Sequence, residues 1–155
     1  MKFNWLSVAN TLLIVAAVIY FGFFGKEKTA FFYNQKVFNE FKGKVELEEK
    51  LEQQRVSDKK LLDSLASLIS AGRTDLKSLY DERNQGIYYN DQQMTAKYTE
   101  DIWRYINEGV KEYAEANGYT YVFGATGDGG LMYAKEGKDV TSEVIRFVNE
   151  KYSKK

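Results

Sequence analysis

The stretch Leu61–Tyr80, LLDSLASLISAGRTDLKSLY, decides the fold of this chain. Leu61, Leu62, Leu65, Leu68 and Ile69 recur at the three- and four-residue spacing of a helix face. Ala71-Gly72-Arg73-Thr74 interrupts them, and Leu76, Leu79 and Tyr80 begin a second series of the same period. Gly72 suits the left-handed position just past a helix end, because glycine has no Cβ to clash there. Thr74 suits the N-cap of the next helix, and Asp75 places a negative charge in its first turn. One tight turn between two helical series predicts an antiparallel helical hairpin.

The pattern extends in both directions. Upstream it passes through Leu51, Leu47, Val45, Phe41, Phe38 and Val37, with Asn34 or Asn39 as the expected N-cap. Downstream it passes through Ile87, Met94, Tyr98, Ile102, Ile106, Val110 and Tyr113 to about Ala116, and Asn117-Gly118 ends it. At 1.5 Å rise per residue the arms at 39–117 should be roughly 50 to 65 Å long. Between Glu46 and Lys60 only Leu47, Leu51 and Val56 are strongly apolar. Gly86 should weaken the second helix by about 1 kcal/mol relative to alanine. Such a hairpin buries too little to stand alone and should flex along its length.

The flanks read as a small body at 29–38 and 118–155. Thr29-Ala30-Phe31-Phe32-Tyr33-Asn34 has the aromatic content of a strand. Tyr119–Phe123 and Leu131–Ala134 read as two more, joined as a β-hairpin through the glycine-rich Gly124–Gly130. A phosphate loop is the competing reading of those glycines, but such a loop leads from a strand into a helix N-terminus, and this one leads toward another strand. Asp139 is the expected N-cap of a closing helix, Ser142–Tyr152, whose apolar face is Val140, Val144, Ile145, Phe147, Val148 and Tyr152.

Trp5–Phe24, WLSVANTLLIVAAVIYFGFF, carries no charge. About 20 helical residues cover the roughly 30 Å of bilayer hydrocarbon, so residues 1–25 are expected to be a transmembrane signal-anchor. Trp5 at one end and Tyr20, Phe21, Phe23 and Phe24 at the other suit interfacial belts. A cleaved signal peptide is the rival. Cleavage after Gly22 or Gly25 would put Tyr20 or Phe23 where a small residue is wanted. An anchor with so short a leader leaves its large C-terminal part outside the cytoplasm, which gives a single-pass bacterial inner-membrane protein facing the periplasm as the expected location.

Composition narrows the chemistry. The 155 residues contain no His, Cys or Pro. Without proline, long helices are uninterrupted. Without His or Cys the commonest bases, nucleophiles and metal ligands are missing, so no catalytic residue, metal or cofactor is assigned and an enzyme is not expected. Net charge is zero, distributed as +3 over residues 1–38, −1 over 39–72, −3 over 73–117 and +1 over 118–155. No basic stripe exists to meet phosphates, so nucleic acid is not an expected partner.

Several stretches carry a family likeness. Thr29–Asn34 followed by Val37-Phe38 and Phe41-Lys42-Gly43 resembles the first strand and helix entry of the Skp/OmpH-like periplasmic chaperones. Val110–Tyr119 resembles their return into the body. Leu131–Ala134 and Asp139-Val140-Thr141-Ser142-Glu143-Val144 resemble their closing strand and helix start. The likeness spans roughly residues 29–152. It implies an α+β, mostly α fold: a jellyfish-like homotrimer with a β-body and helical arms. It also implies an ATP-independent holdase that encloses unfolded outer-membrane or exported proteins, with a translocon or secretion complex as a further partner. A structural or adaptor subunit of an envelope-assembly complex is the alternative. The acidic arms and the N-terminal span are departures from the family, whose members are basic and released from the membrane. On this reading Phe31, Tyr33, Tyr121, Phe123, Leu131 and Tyr133 build the trimer body, with plain core packing as the simpler role for each. Tyr80, Ile87, Tyr88, Tyr89, Met94 and Tyr98 form the client surface. Ile87-Tyr88-Tyr89 cannot all face one hairpin seam.

Overall fold

The computed structural model describes residues 5–24 and 27–154, with side chains in the first helix described only in part. The elements run α1 (Trp5–Phe24), β1 (Thr29–Tyr33), α2 (Asn34–Glu40), α3 (Lys42–Ser70), α4 (Lys77–Ala116), β2 (Tyr121–Ala125) and α5 (Thr141–Tyr152). Short 3-10 turns occupy Thr74–Leu76 and Glu136–Lys138. The chain is mostly helical, with one small sheet.

α3 and α4 form the expected hairpin. At the tip Arg73 N–H donates to Leu68 O over 3.1 Å and Gly72 N–H to Ile69 O over 3.0 Å. Gly72 has φ 102°, so the helix closes in a Schellman motif that needs glycine there. α4 ends the same way: Tyr119 N–H donates to Ala114 O over 3.0 Å, Gly118 has φ 66°, and the Tyr119 ring stacks on Tyr113. Thr74 does not cap α4 with its side chain; it opens the 3-10 turn, and α4 starts three residues later. Rise per residue makes α3 about 44 Å and α4 about 60 Å long.

Three features differ from expectation. The first is the sheet. β1 and β2 pair in parallel, in the register Thr29↔Tyr121 to Tyr33↔Ala125. The chain leaves the body at the end of β1, and α4, eleven residues longer than α3, carries it back to the level where β1 starts, where Thr120 N–H donates to Lys28 O over 2.8 Å, so β2 runs in the same direction as β1. The arms are the crossover connection that a parallel pair requires. The second is Leu131–Ala134, which is irregular rather than a strand. β1 carries β2 on one side and a bridge from Phe31 to Asp139 on the other, where Val140 N–H donates to Phe31 O over 2.8 Å. No position beside β1 remains for 131–134. Gly127 and Gly129, at φ 84° and 99°, steer the intervening chain away. The third is a break in the first helix at Phe41, whose ψ of 120° is extended; Asn34 and Asn39 lie inside α2 instead of capping it.

The core lies in the body and the arm roots. Ala30 and Phe32 from β1, Val37 from α2, Phe41, Ile102, Ile106 and Tyr113 from α4, and Val140, Val144 and Val148 around α5 form one buried cluster. Asp139 Oδ1 accepts the Thr141 N–H over 2.9 Å, so it caps α5 although Val140 is the boundary residue. Between Leu51 and Ile102 no residue is buried.

The expected membrane span at residues 1–25 lies partly outside the described residues. Among the described residues no helix is long and apolar enough to cross a membrane. The backbone of α1 is helical for 20 residues, and Leu12, Leu13, Ile14, Val15, Val18 and Ile19 are all exposed.

Candidate functional site

Two surfaces stand out, the seam of the arms and the outer face of the sheet. Along the arms, 3.6-residue periodicity turns one stripe of each helix toward the other. Ile87 and Met94 lie on that stripe and are half-buried; with Leu51, Leu61 and Gly86 they line a groove of about 610 Å³. Gly86 is exposed, and a Cβ there would meet nothing within 4 Å. Tyr88 and Tyr89 point away from the seam and are 68% and 64% exposed. The Tyr88 hydroxyl accepts from Gln92 Nε2 over 2.8 Å. Tyr80 is half-buried near the tip. Tyr98, half-buried, lines a second groove of about 400 Å³ at the arm root with Phe38, Leu47, Leu51 and Ile102. The six client-surface candidates therefore divide. Tyr88 and Tyr89 form an outward aromatic pair, and the other four flank the seam.

Between the two grooves Arg55 reaches across the arms. Its Nε donates to Asp91 Oδ1 over 2.7 Å and its Nη2 to Oδ2 over 3.0 Å, a bidentate pair. The shared hydrogen bonds hold the Asp91 carboxyl below its ordinary value and push the Arg55 guanidinium up. The root groove and this clamp were absent from the sequence reading. A signal existed: the two residues lie 36 apart, centred on Arg73 at the turn, and a hairpin brings such positions together.

In the body, strand alternation places Phe31 and Tyr33 on the same face as Tyr121 and Phe123, while Ala30 and Phe32 face the helices. Tyr33, Tyr121 and Phe123 are each about half exposed, and the Tyr121 and Phe123 rings stack. Phe31 is buried, edge-on to Tyr33. Tyr133 and its neighbour Met132 are more than 80% exposed, and Leu131 is half-buried. The structure thus gathers Phe31, Tyr33, Tyr121 and Phe123 on one face and leaves Leu131 and Tyr133 on the irregular segment.

Among the described residues no group of acidic side chains could hold a metal ion. The perturbed tyrosines are packing residues. Burial, then Tyr119 beside it, pushes Tyr113 up to about 12. Tyr152 is raised first by its hydrogen bond to Glu46 and then by burial.

Residues 73–148, which run from the arm tip through α4, β2 and most of α5, match the family model described as outer membrane protein (OmpH-like). No curated protein matches the chain.

Proposed function

From the premise that the chain belongs to the OmpH-like family, matched over residues 73–148, we propose that it is an ATP-independent holdase for unfolded outer-membrane or exported proteins. Family membership supports a chaperone-type role. The observation that carries the finer reading is the arm surface: Tyr88 and Tyr89, 68% and 64% exposed, beside a groove lined by Ile87 and Met94. Aromatic and thioether groups on an open helical surface give weak, adaptable apolar contacts, which suit a client with no fixed shape.

The holdase acts as a homotrimer. Tyr33, Tyr121 and Phe123 form an aromatic face half open to solvent. A face of this kind supports burial against further copies. The tether is the remaining part of the proposal. α1 is uncharged and exposes apolar residues around its length, which supports a hydrocarbon environment for it. The body would then stand within roughly 15–20 Å of the bilayer, the reach of the few residues between α1 and β1.

An unfolded outer-membrane protein diluted from denaturant into the full chain, held in nanodiscs, tests the reading. Aggregation should be suppressed at one trimer per client, and Tyr88→Ser/Tyr89→Ser should lose most of that suppression at an unchanged melting temperature. Aggregation indistinguishable from empty nanodiscs would sink the holdase. The adaptor reading draws on the net −3 of the segment carrying α4, which does not attract acidic clients; it predicts one defined partner co-purifying at a fixed ratio. Light scattering that finds only monomer refutes the trimer, and extraction of the chain by alkaline carbonate refutes the tether.

A further inference from the structure

Among the backbone groups that the break between α2 and α3 leaves without helical partners are the carbonyl of Glu40 at the end of one helix and the N–H of Lys42 at the start of the next. A single side chain meets both. Asn149 Oδ1 accepts from Lys42 N–H over 2.8 Å, and Asn149 Nδ2 donates to Glu40 O over 3.0 Å. The amide offers an acceptor and a donor on one planar head, and these partners fix which end is which. The rest of the same turn of α5 grips the root of α3. The Tyr152 hydroxyl bonds Glu46 Oε2 over 2.9 Å, and the Tyr152 ring packs edge-on against Phe41. The other side of α5 is fixed to α4: Val148 lies against Gly109, and Lys151 Nζ meets Glu112 over 2.8 Å.

We infer that Asn149 is a positioning residue for the arms. It holds the break at Phe41 in one geometry, and with it the direction in which α3 leaves the body. The geometry places α5 as a wedge between the roots of both arms, so the seating of its last turn sets how far they stand apart. Phe41, 2% exposed, anchors the break from inside, and Asn149 locks it from outside. The inference concerns arm direction alone and does not depend on what the arms bind, so it survives or fails separately from the holdase reading.

Two substitutions separate the two bonds. Asn149→Ala removes both. Asn149→Asp keeps an acceptor for Lys42 N–H at a helix start, where a negative charge is favourable, and turns an acceptor toward the Glu40 carbonyl. Arm direction is read from the distance between spin labels at Lys60→Cys on α3 and Ser142→Cys on α5, with labelled chains diluted into unlabelled ones; the absence of native cysteine makes the labels unique. Both variants should broaden a single narrow distance distribution. Val144→Ala, which loosens the core away from the break, should leave it narrow. Exchange of the Lys42 amide should accelerate roughly tenfold in Asn149→Ala, the scale of one lost hydrogen bond, and stay slow in Asn149→Asp. A distribution that stays narrow in both variants, or broadens as much in Val144→Ala, overturns the inference. In the unsubstituted chain the Lys42 amide should exchange slowly; free exchange there overturns it too, whether or not the variants fold.

Discussion

The same substitution at two glycines of α4 should have opposite signs. Gly86 and Gly109 both lie inside the helix, where alanine is favoured by about 0.8–1.0 kcal/mol through backbone entropy. At Gly86 a Cβ would meet nothing within 4 Å, so Gly86→Ala should keep the whole gain. At Gly109 the Cβ would stand 2.7 Å from Val148 Cγ1, well inside van der Waals contact. Val148 is 0% exposed, on the face of α5 that closes the core, so it cannot swing away cheaply. Overpacking a filled core costs typically about 1–3 kcal/mol, which outweighs the propensity gain. Gly109→Ala should therefore lose about 0–2 kcal/mol, and the two variants should differ by about 1–3 kcal/mol. Chemical denaturation followed by circular dichroism reads the body variant. Because the arm opens locally, Gly86→Ala is read by hydrogen exchange of the amides around it, which should slow roughly fivefold for about 1 kcal/mol. If Gly109→Ala proves as stable as Gly86→Ala, Val148 does not seat against α4 as described, and the wedge role of α5 loses its footing.

The alkaline limb of stability should be governed by Tyr113. Its folded value of about 12 lies above tyrosine's ordinary 10.0, so folding favours the neutral form, and the stability it contributes is full below pH 10 and lost as pH rises toward 12; ultraviolet titration should find a tyrosine that ionises only with unfolding. The cross-arm clamp should be lost at the acid end. Asp91 is lowered from 3.8 by Arg55, so its contribution is full above that value and disappears as pH falls through the lowered one; Arg55→Ala at pH 7 should lower the protection of the arm amides, relative to their intrinsic exchange rates, to that of the unsubstituted chain in acid, with the body unchanged. Because both partners are solvent-exposed, high salt should mimic part of that loss.

Local chemistry decided which features could be read in advance. The ends of the arms were legible because Gly72 and Gly118 must take positive φ, and each sits where the periodic pattern stops. The strand β1 was legible from its aromatic run. The strand pairing was not: Tyr119–Phe123 and Leu131–Ala134 resemble a hairpin by proximity, and only the extra length of α4 over α3, which brings the chain back to the start of β1, makes the pair parallel. The break at Phe41 was hidden because Phe41 fits the helical spacing of Val37 and Phe38. What breaks the helix is a buried ring and an amide on α5, more than a hundred residues away. At the arm surface, the split of Ile87 from Tyr88 and Tyr89 follows from helix geometry alone. The Arg55–Asp91 clamp does not show in the net charge of either segment, because it pairs positions equally distant from the turn.

The distribution of burial fixes where arm stiffness must come from. The large side chains that are fully buried, Phe41, Ile106, Val37, Val144 and Val148, all lie in the body or at the arm roots. Toward the tip, Val56, Leu61, Leu68 and Leu79 remain 39–45% exposed. A helix with so little burial draws its order from the turns already formed below it, since extending a helix is easier than nucleating one. Opening should therefore begin at the tip and at Gly86, whose helix propensity is low, and run down toward Leu51. The Arg55–Asp91 pair is too exposed to stop it, because a surface ion pair contributes little against solvent and salt. The root is then the place where a small change alters the whole arm. Phe41 and Asn149 fix one helix there, Val148 on Gly109 fixes the other, and α5 carries contacts to both.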